Sequence, residues 1–137
     1  MNPDQELYDK LFELSQGLGY ATFDYLPAEE EGYPFVYIGQ TQELPQGNKF
    51  AYTGEMNVTV HVYGEMTNRK LVSDMKGNLL KEIKRLKETP SFKWYYVDSA
   101  SQPSMIPEQN TNQMPQHRPL WHAIIPITLK YIDKGAL

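Results

Sequence analysis

No cysteine occurs anywhere in the 137 residues. That excludes disulfides, thiolate metal sites and thiol nucleophiles together, and it fits synthesis in a reducing compartment. Positive charge is scarce as well: 13 Lys and Arg stand against 17 Asp and Glu, a net charge of -4. A protein that grips nucleic acid through its phosphates needs a basic face, so this balance argues against that class. No apolar run approaches the roughly 20 residues that a membrane helix requires. The N-terminus, Met1 to Glu6, has no positive stretch leading into an apolar one, so no signal peptide is expected. The one basic cluster, Lys81 to Lys87, falls towards the end of an expected helix, where cations favour the negative pole of the helix dipole.

What is present is ordinary globular composition, with 40% hydrophobic and 22% charged residues, enriched in aromatics by ten Tyr, five Phe and two Trp. The length fits one domain, and at this size a real core is feasible. Leu7, Tyr8, Leu11, Phe12 and Leu14 recur at helical steps and predict a helix over 4–16, with Asp4 as its cap and Gly17 and Gly19 ending it. Tyr33 to Gly39 reads as a strand with Pro34 near its start, and Glu29-Glu30-Glu31 before it as a solvated turn. The strongest strand signal runs from Glu55 to Tyr63. There Met56, Val58, Val60 and Val62 alternate with Asn57, Thr59, His61 and Tyr63, predicting one core face and one face for solvent or a partner.

A longer helix is expected over 67–87, capped by Thr67 or Asn68, with Val72, Met75, Leu79, Ile83 and Leu86 as its apolar stripe and Gly77 as a candidate close approach to the sheet. Phe92 to Ser99 predicts a third strand and Trp121 to Ile132 a fourth; Pro126 predicts that the last one is bulged or lies at an edge. The order helix, two strands, helix, two strands predicts an α+β fold. Its mainly antiparallel sheet would have about four strands, with both helices on one face. Residues 40–53 read as a long hairpin arm or loop, and 100–119, with four prolines, as a second long loop.

The sequence carries no phosphate loop, nucleophile elbow, zinc-protease helix or calcium loop, so no catalytic, cofactor-binding or metal site is expected. His61, His117 and His122 have no carboxylate at a ligand spacing and read as surface or interface residues. The long loops carry the more informative residues. Lys49, Phe50 and Tyr52 in the first, and Met105, Ile106 and Met114 in the second, either tuck back under the domain or anchor a partner. These six are the candidate interface to other subunits.

Tyr33-Pro34-Phe35-Val36-Tyr37-Ile38-Gly39, a polar arm, Gly54 to Tyr63, a helix opening at Thr67-Asn68-Arg69-Lys70, and the closing Trp121–Ile132 strand together resemble the tail-terminator, or tail-completion, family of long-tailed bacteriophages. The resemblance spans most of the chain and lies in the order of motifs, not in reactive groups. It implies a non-enzymatic virion protein without cofactor. Copies would form a hexameric ring on the head-proximal end of the tail tube, stopping its growth and docking to the head connector. The implied partners are further copies of the chain, the tail-tube protein and the connector or stopper protein, with DNA only passing through the lumen and no membrane. The implied location is the virion tail, and the host cytoplasm during assembly. An acidic subunit suits a lumen through which DNA must slide. The competing readings are a tail-tube or other connector component, and a small ligand-binding domain or enzyme whose site is assembled in space.

Overall fold

The computed structural model describes residues 2–27, 32–45, 53–98, 102–108 and 119–136. Among these residues two helices, α1 (Pro3–Gly17) and α2 (Arg69–Lys84), accompany six strands: β1 (Thr22–Phe23), β2 (Phe35–Pro45), β3 (Thr53–Glu65), β4 (Phe92–Tyr96), β5 (Ser104–Glu108) and β6 (Leu120–Asp133). The fold is α+β, but the sheet is larger than four strands and is mixed. Its order is β1-β2-β3-β6-β4, with β5 also paired to β6. β1 runs parallel to β2, and all other pairs are antiparallel.

Alternation along β3 is complete. Its even-numbered residues from Gly54 to Gly64 are buried, while the odd ones from Thr53 to Tyr63 are half-buried. The buried set meets Val36 and Ile38 of β2 and Ala123, Ile125, Ile127, Leu129 and Tyr131 of β6. Leu7 and Leu11 of α1 and Val72, Met75, Leu79 and Ile83 of α2 join the same core, so both helices cover one face of the sheet. Each such side chain contributes about 1.5–3 kcal/mol on burial. The other face carries no helix among the described residues.

Several local expectations are corrected. Helix α1 opens at Pro3 with Asn2 as its cap residue, and Asp4 lies inside the first turn. Proline is tolerated there because that N–H has no helical acceptor. Helix α2 begins at Arg69, after a short 3-10 turn over Met66–Asn68; Asn68 does hold the expected cap position, but without a side-chain capping bond. Gly77 is exposed and a Cβ there would meet nothing within 4 Å, so it serves no close approach to the sheet.

The segment 40–45 belongs to β2, which continues past a register shift between Ile38 and Thr41. Gly39 sits at that bulge, where an added Cβ would lie 3.0 Å from the Thr59 carbonyl oxygen. The bulge changes which residues face the helices: Val36 and Ile38 before it, Thr41 and Glu43 after it. That parity change, in polar residues, is why the stretch does not read as a strand. The expected loop at 100–119 likewise holds β5.

Pro126 is neither at an edge nor at a bulge. β6 lies inside the sheet, and its register against β3 is unbroken from Leu120 to Ile132. The Thr128 carbonyl accepts the Val97 N–H at 3.0 Å, so the backbone at Thr128 points away from β3. Two residues earlier Pro126 points the same way. β5 reaches only to Ile124 and β4 starts at Leu129, so Pro126 faces the gap between them. Its missing N–H costs no ladder bond.

Candidate functional site on the open sheet face

The register lays out the uncovered face in rows. Phe35, Tyr63, His122 and Ile106 lie side by side across β2, β3, β6 and β5; Tyr37, His61, Ile124 and Ser104 form the next row. The rings make a continuous aromatic stripe. Centroids are 5.2 Å apart for Phe35 and Tyr63, 4.2 Å for Tyr63 and His122, and 5.3 Å for Tyr37 and His61. Beside the stripe an open depression of about 910 Å³ is lined by Tyr37, Gln40, Gln42, Asn57, Thr59 and His61, among others. On its floor the Thr128 hydroxyl donates to the Asn57 amide oxygen at 2.7 Å. The lining is uncharged, and the depression is a shallow trough in the sheet face.

One cluster on this face has chemical character. The ring nitrogens His61 Nδ1 and His122 Nε2 are 2.7 Å apart, and His122 Nδ1 hydrogen-bonds Glu108 Oε2. β3, β6 and β5 each supply one member. Against the expectation of surface or interface histidines, His122 is buried and His61 is half-buried on the open face, while His117 lies outside the described residues. Both imidazoles titrate below the usual histidine range. Burial pushes His61 down to about 4, assisted by the neighbouring His122 and opposed by the charge of Glu108. Burial also lowers His122, against the hydrogen bond and charge of Glu108. Burial and the Glu108 charge push the Tyr63 phenol up to about 12. Among the described residues no three His, Cys, Asp or Glu side chains are placed to hold a metal ion.

The shifts set a pH dependence. An unfolded histidine takes its proton near pH 6.5, whereas folded His61 does so only near pH 4. Between those values the unfolded chain binds more protons, so stability falls as pH falls, by up to about 1.4 kcal/mol per pH unit for this one group. Urea unfolding between pH 7 and 4.5 should show that slope, and His61→Asn should flatten it. Glu6, whose folded carboxyl sits below its ordinary 4.5, adds its own loss only under that value. An equal slope in parent and variant would remove His61 as the source.

Of the six expected interface residues, two are described. Met105 is half-buried against the core, whereas Ile106 is 41% exposed on the open face beside His122. Lys49, Phe50, Tyr52 and Met114 lie outside the described residues, as does the acidic run Glu29–Glu31. The histidine pair escaped sequence reading because its members are 61 residues apart. The available signal was that both occupy the polar phase of an alternating strand.

No family model matches the chain, and no curated protein matches it. The fold, however, is found in a virion. A chain of a solved structure described as the virion of a native gene transfer agent (GTA) particle superposes with a TM-score of 0.62, covering 96% of this chain and 94% of that one. The two are 8% identical, so what they share is the fold.

Proposed function

We propose that this chain is a structural virion protein of a phage-like particle, and that it acts as a tail terminator. In this reading copies close into a hexameric ring on the head-proximal end of the tail tube, halt tube growth and present the docking surface for the head connector. DNA passes through the lumen without being gripped. The observation that carries the proposal is the fold likeness to a virion chain over nearly the full length of both molecules. The order of motifs that resembles the tail-terminator family supports it independently. A ring subunit must present two different patches to its neighbours. The open sheet face and the long β2–β3 hairpin, with Leu44 41% exposed, are available for such contacts.

Native mass spectrometry of the purified chain, alone and with tail-tube subunit, tests the reading. The expected result is a discrete ring-sized oligomer, formed either alone or only with the tube protein. Open-ended polymers of the chain itself would replace the terminator role with that of a tube component. A monomer indifferent to tube protein at every concentration would remove both, and would turn attention to ligands for the depression on the sheet face.

A further inference from the structure

The Glu108–His122–His61 chain joins three strands, and its members satisfy one another in only one proton arrangement. An ionised carboxylate only accepts, so His122 Nδ1 carries the hydrogen that Glu108 receives. In neutral His122 the other nitrogen, Nε2, is then an acceptor, and His61 Nδ1–H donates to it across 2.7 Å. His61 Nε2 is left as a bare acceptor near Gly39. The carboxylate end of the chain belongs to β5. This strand has five residues, none of them buried, and borders only β6. Beside its backbone ladder and Met105 against the core, β5 is tied to the sheet by the Glu108 hydrogen bond.

We propose that Glu108, His122 and His61 form a two-proton latch on β5, tightened when the histidine pair takes one proton and released when it takes two. The first proton leaves every hydrogen bond in place. One N–H still lies between the rings, and the cation it creates turns the Glu108 contact into a charge-assisted pair. The second proton puts a hydrogen on both facing nitrogens. Neither ring can then accept, two cations stand in contact, and the pair must separate. The other titratable or charged groups on this face among the described residues are Tyr33 and Tyr37 from the β2 side, Tyr63 and Glu65 from β3 near the pair, and Glu55, Lys130, Lys93 and Tyr95 further along the sheet; the helices lie behind it. The tyrosines are uncharged across the acid range. Glu65 lies one row beyond Tyr63. Ile106 sits on β5 beside His122, so the latch governs whether that side chain is held on the open face.

Hydrogen exchange of the intact chain from pH 7.5 to 3.5, corrected for intrinsic rates, tests the latch without reference to ring assembly. Peptides covering 104–108 should gain about fivefold protection on the first protonation, the margin of a charge-assisted over a neutral hydrogen bond. Below pH 4 they should lose about tenfold or more, while α2 peptides stay protected, since one tenfold step corresponds to losing the Glu108 tie. Glu108→Gln should abolish the gain. His61→Asn, which can still donate to His122 but cannot titrate, should abolish the selective loss. Imidazole nitrogen shifts of the parent provide a readout that does not depend on the variants folding, and should show two coupled steps with one shared proton between them. Protection of β5 that tracks α2 at every pH, or two independent single-site histidine titrations, would overturn the proposal.

Discussion

Trp94→Ala should lower the unfolding free energy by roughly 3–5 kcal/mol, the range for deleting a large aromatic from a core. Domains of this kind have only about 5–15 kcal/mol in total, so the variant would stand near the threshold of folding. Trp94 is fully buried in β4, with ring centroids 5.5 Å from Tyr131 and 6.0 Å from Phe92. Its indole N–H donates to the Thr89 hydroxyl at 2.8 Å, and Thr89 is itself buried. The backbone repeats the tie, since the Trp94 N–H donates to the Lys87 carbonyl at 2.9 Å. One side chain therefore joins the sheet edge to the turn that leaves α2. Trp94→Phe separates the two contributions: it keeps most of the packing and loses the indole donor, so it should cost about 1–3 kcal/mol for the buried hydroxyl left without it. Urea midpoints of the two variants check the ordering. A loss under about 1 kcal/mol for Trp94→Ala would mean that the residue is not in the core at all.

The elements that were legible in sequence are those whose pattern is local. β3 shows its alternation residue by residue, and α2 its stripe of Val72, Met75, Leu79 and Ile83. The ends of β6 were readable for the same reason. β1 was not, because two residues carry no period, and Thr22 and Phe23 are a strand only through their parallel pairing with Val36 and Tyr37. β5 was hidden by its neighbours: Pro103 and Pro107 flank Met105 and Ile106, and proline in a short run speaks against a strand. The structure resolves the conflict by giving β5 a single partner. Pro126 misleads in the opposite sense: it predicts a bulge or an edge strand, whereas it marks a gap on one side of an inner, unbroken strand.

The candidate site was the least legible part because its chemistry is made by register. His61 is placed opposite Ile124 and His122 opposite Tyr63, so the two imidazoles meet on the diagonal between neighbouring rows. Shifting β6 by one residue would turn His122 into the core and leave His61 Nδ1 without its imidazole partner, although the His61 ring would keep its stacking on Tyr37. Glu108 depends on β5 in the same way. No spacing along the chain encodes these meetings. The polar phase of β3 and β6 told which residues share the open face, and only the pairing tells which of them touch.

Gly54→Ala should destabilise the fold by about 1–3 kcal/mol or more, at the upper end for overpacking, although the change adds one methyl group. Gly54 has no left-handed backbone, so conformational strain is not the cause. The new Cβ would lie 2.5 Å from the Tyr131 hydroxyl oxygen, 2.7 Å from Tyr131 Cζ and 2.9 Å from the Leu44 carbonyl oxygen. Neither neighbour yields cheaply. Tyr131 is fully buried and its hydroxyl donates to Glu43 Oε2 at 2.5 Å, while the Leu44 carbonyl belongs to the β2 backbone beside its ladder with β3. Tyr131→Phe in the same chain removes the hydroxyl but not Cζ, so it should fail to rescue. Gly64→Ala makes a useful contrast, since its Cβ would lie 2.2 Å from Val72 Cγ2, a side-chain methyl on α2. Valine in a helix holds one rotamer strongly, so this clash too is costly, but Val72→Ala removes the offending atom. Gly64→Ala with Val72→Ala should therefore cost little more than Val72→Ala alone, whereas the Gly54 variant should resist any side-chain remedy. Thermal or urea unfolding of the two pairs measures the difference, and rescue of Gly54→Ala by Tyr131→Phe would show that the carbonyl and the ring give way more easily than their packing implies.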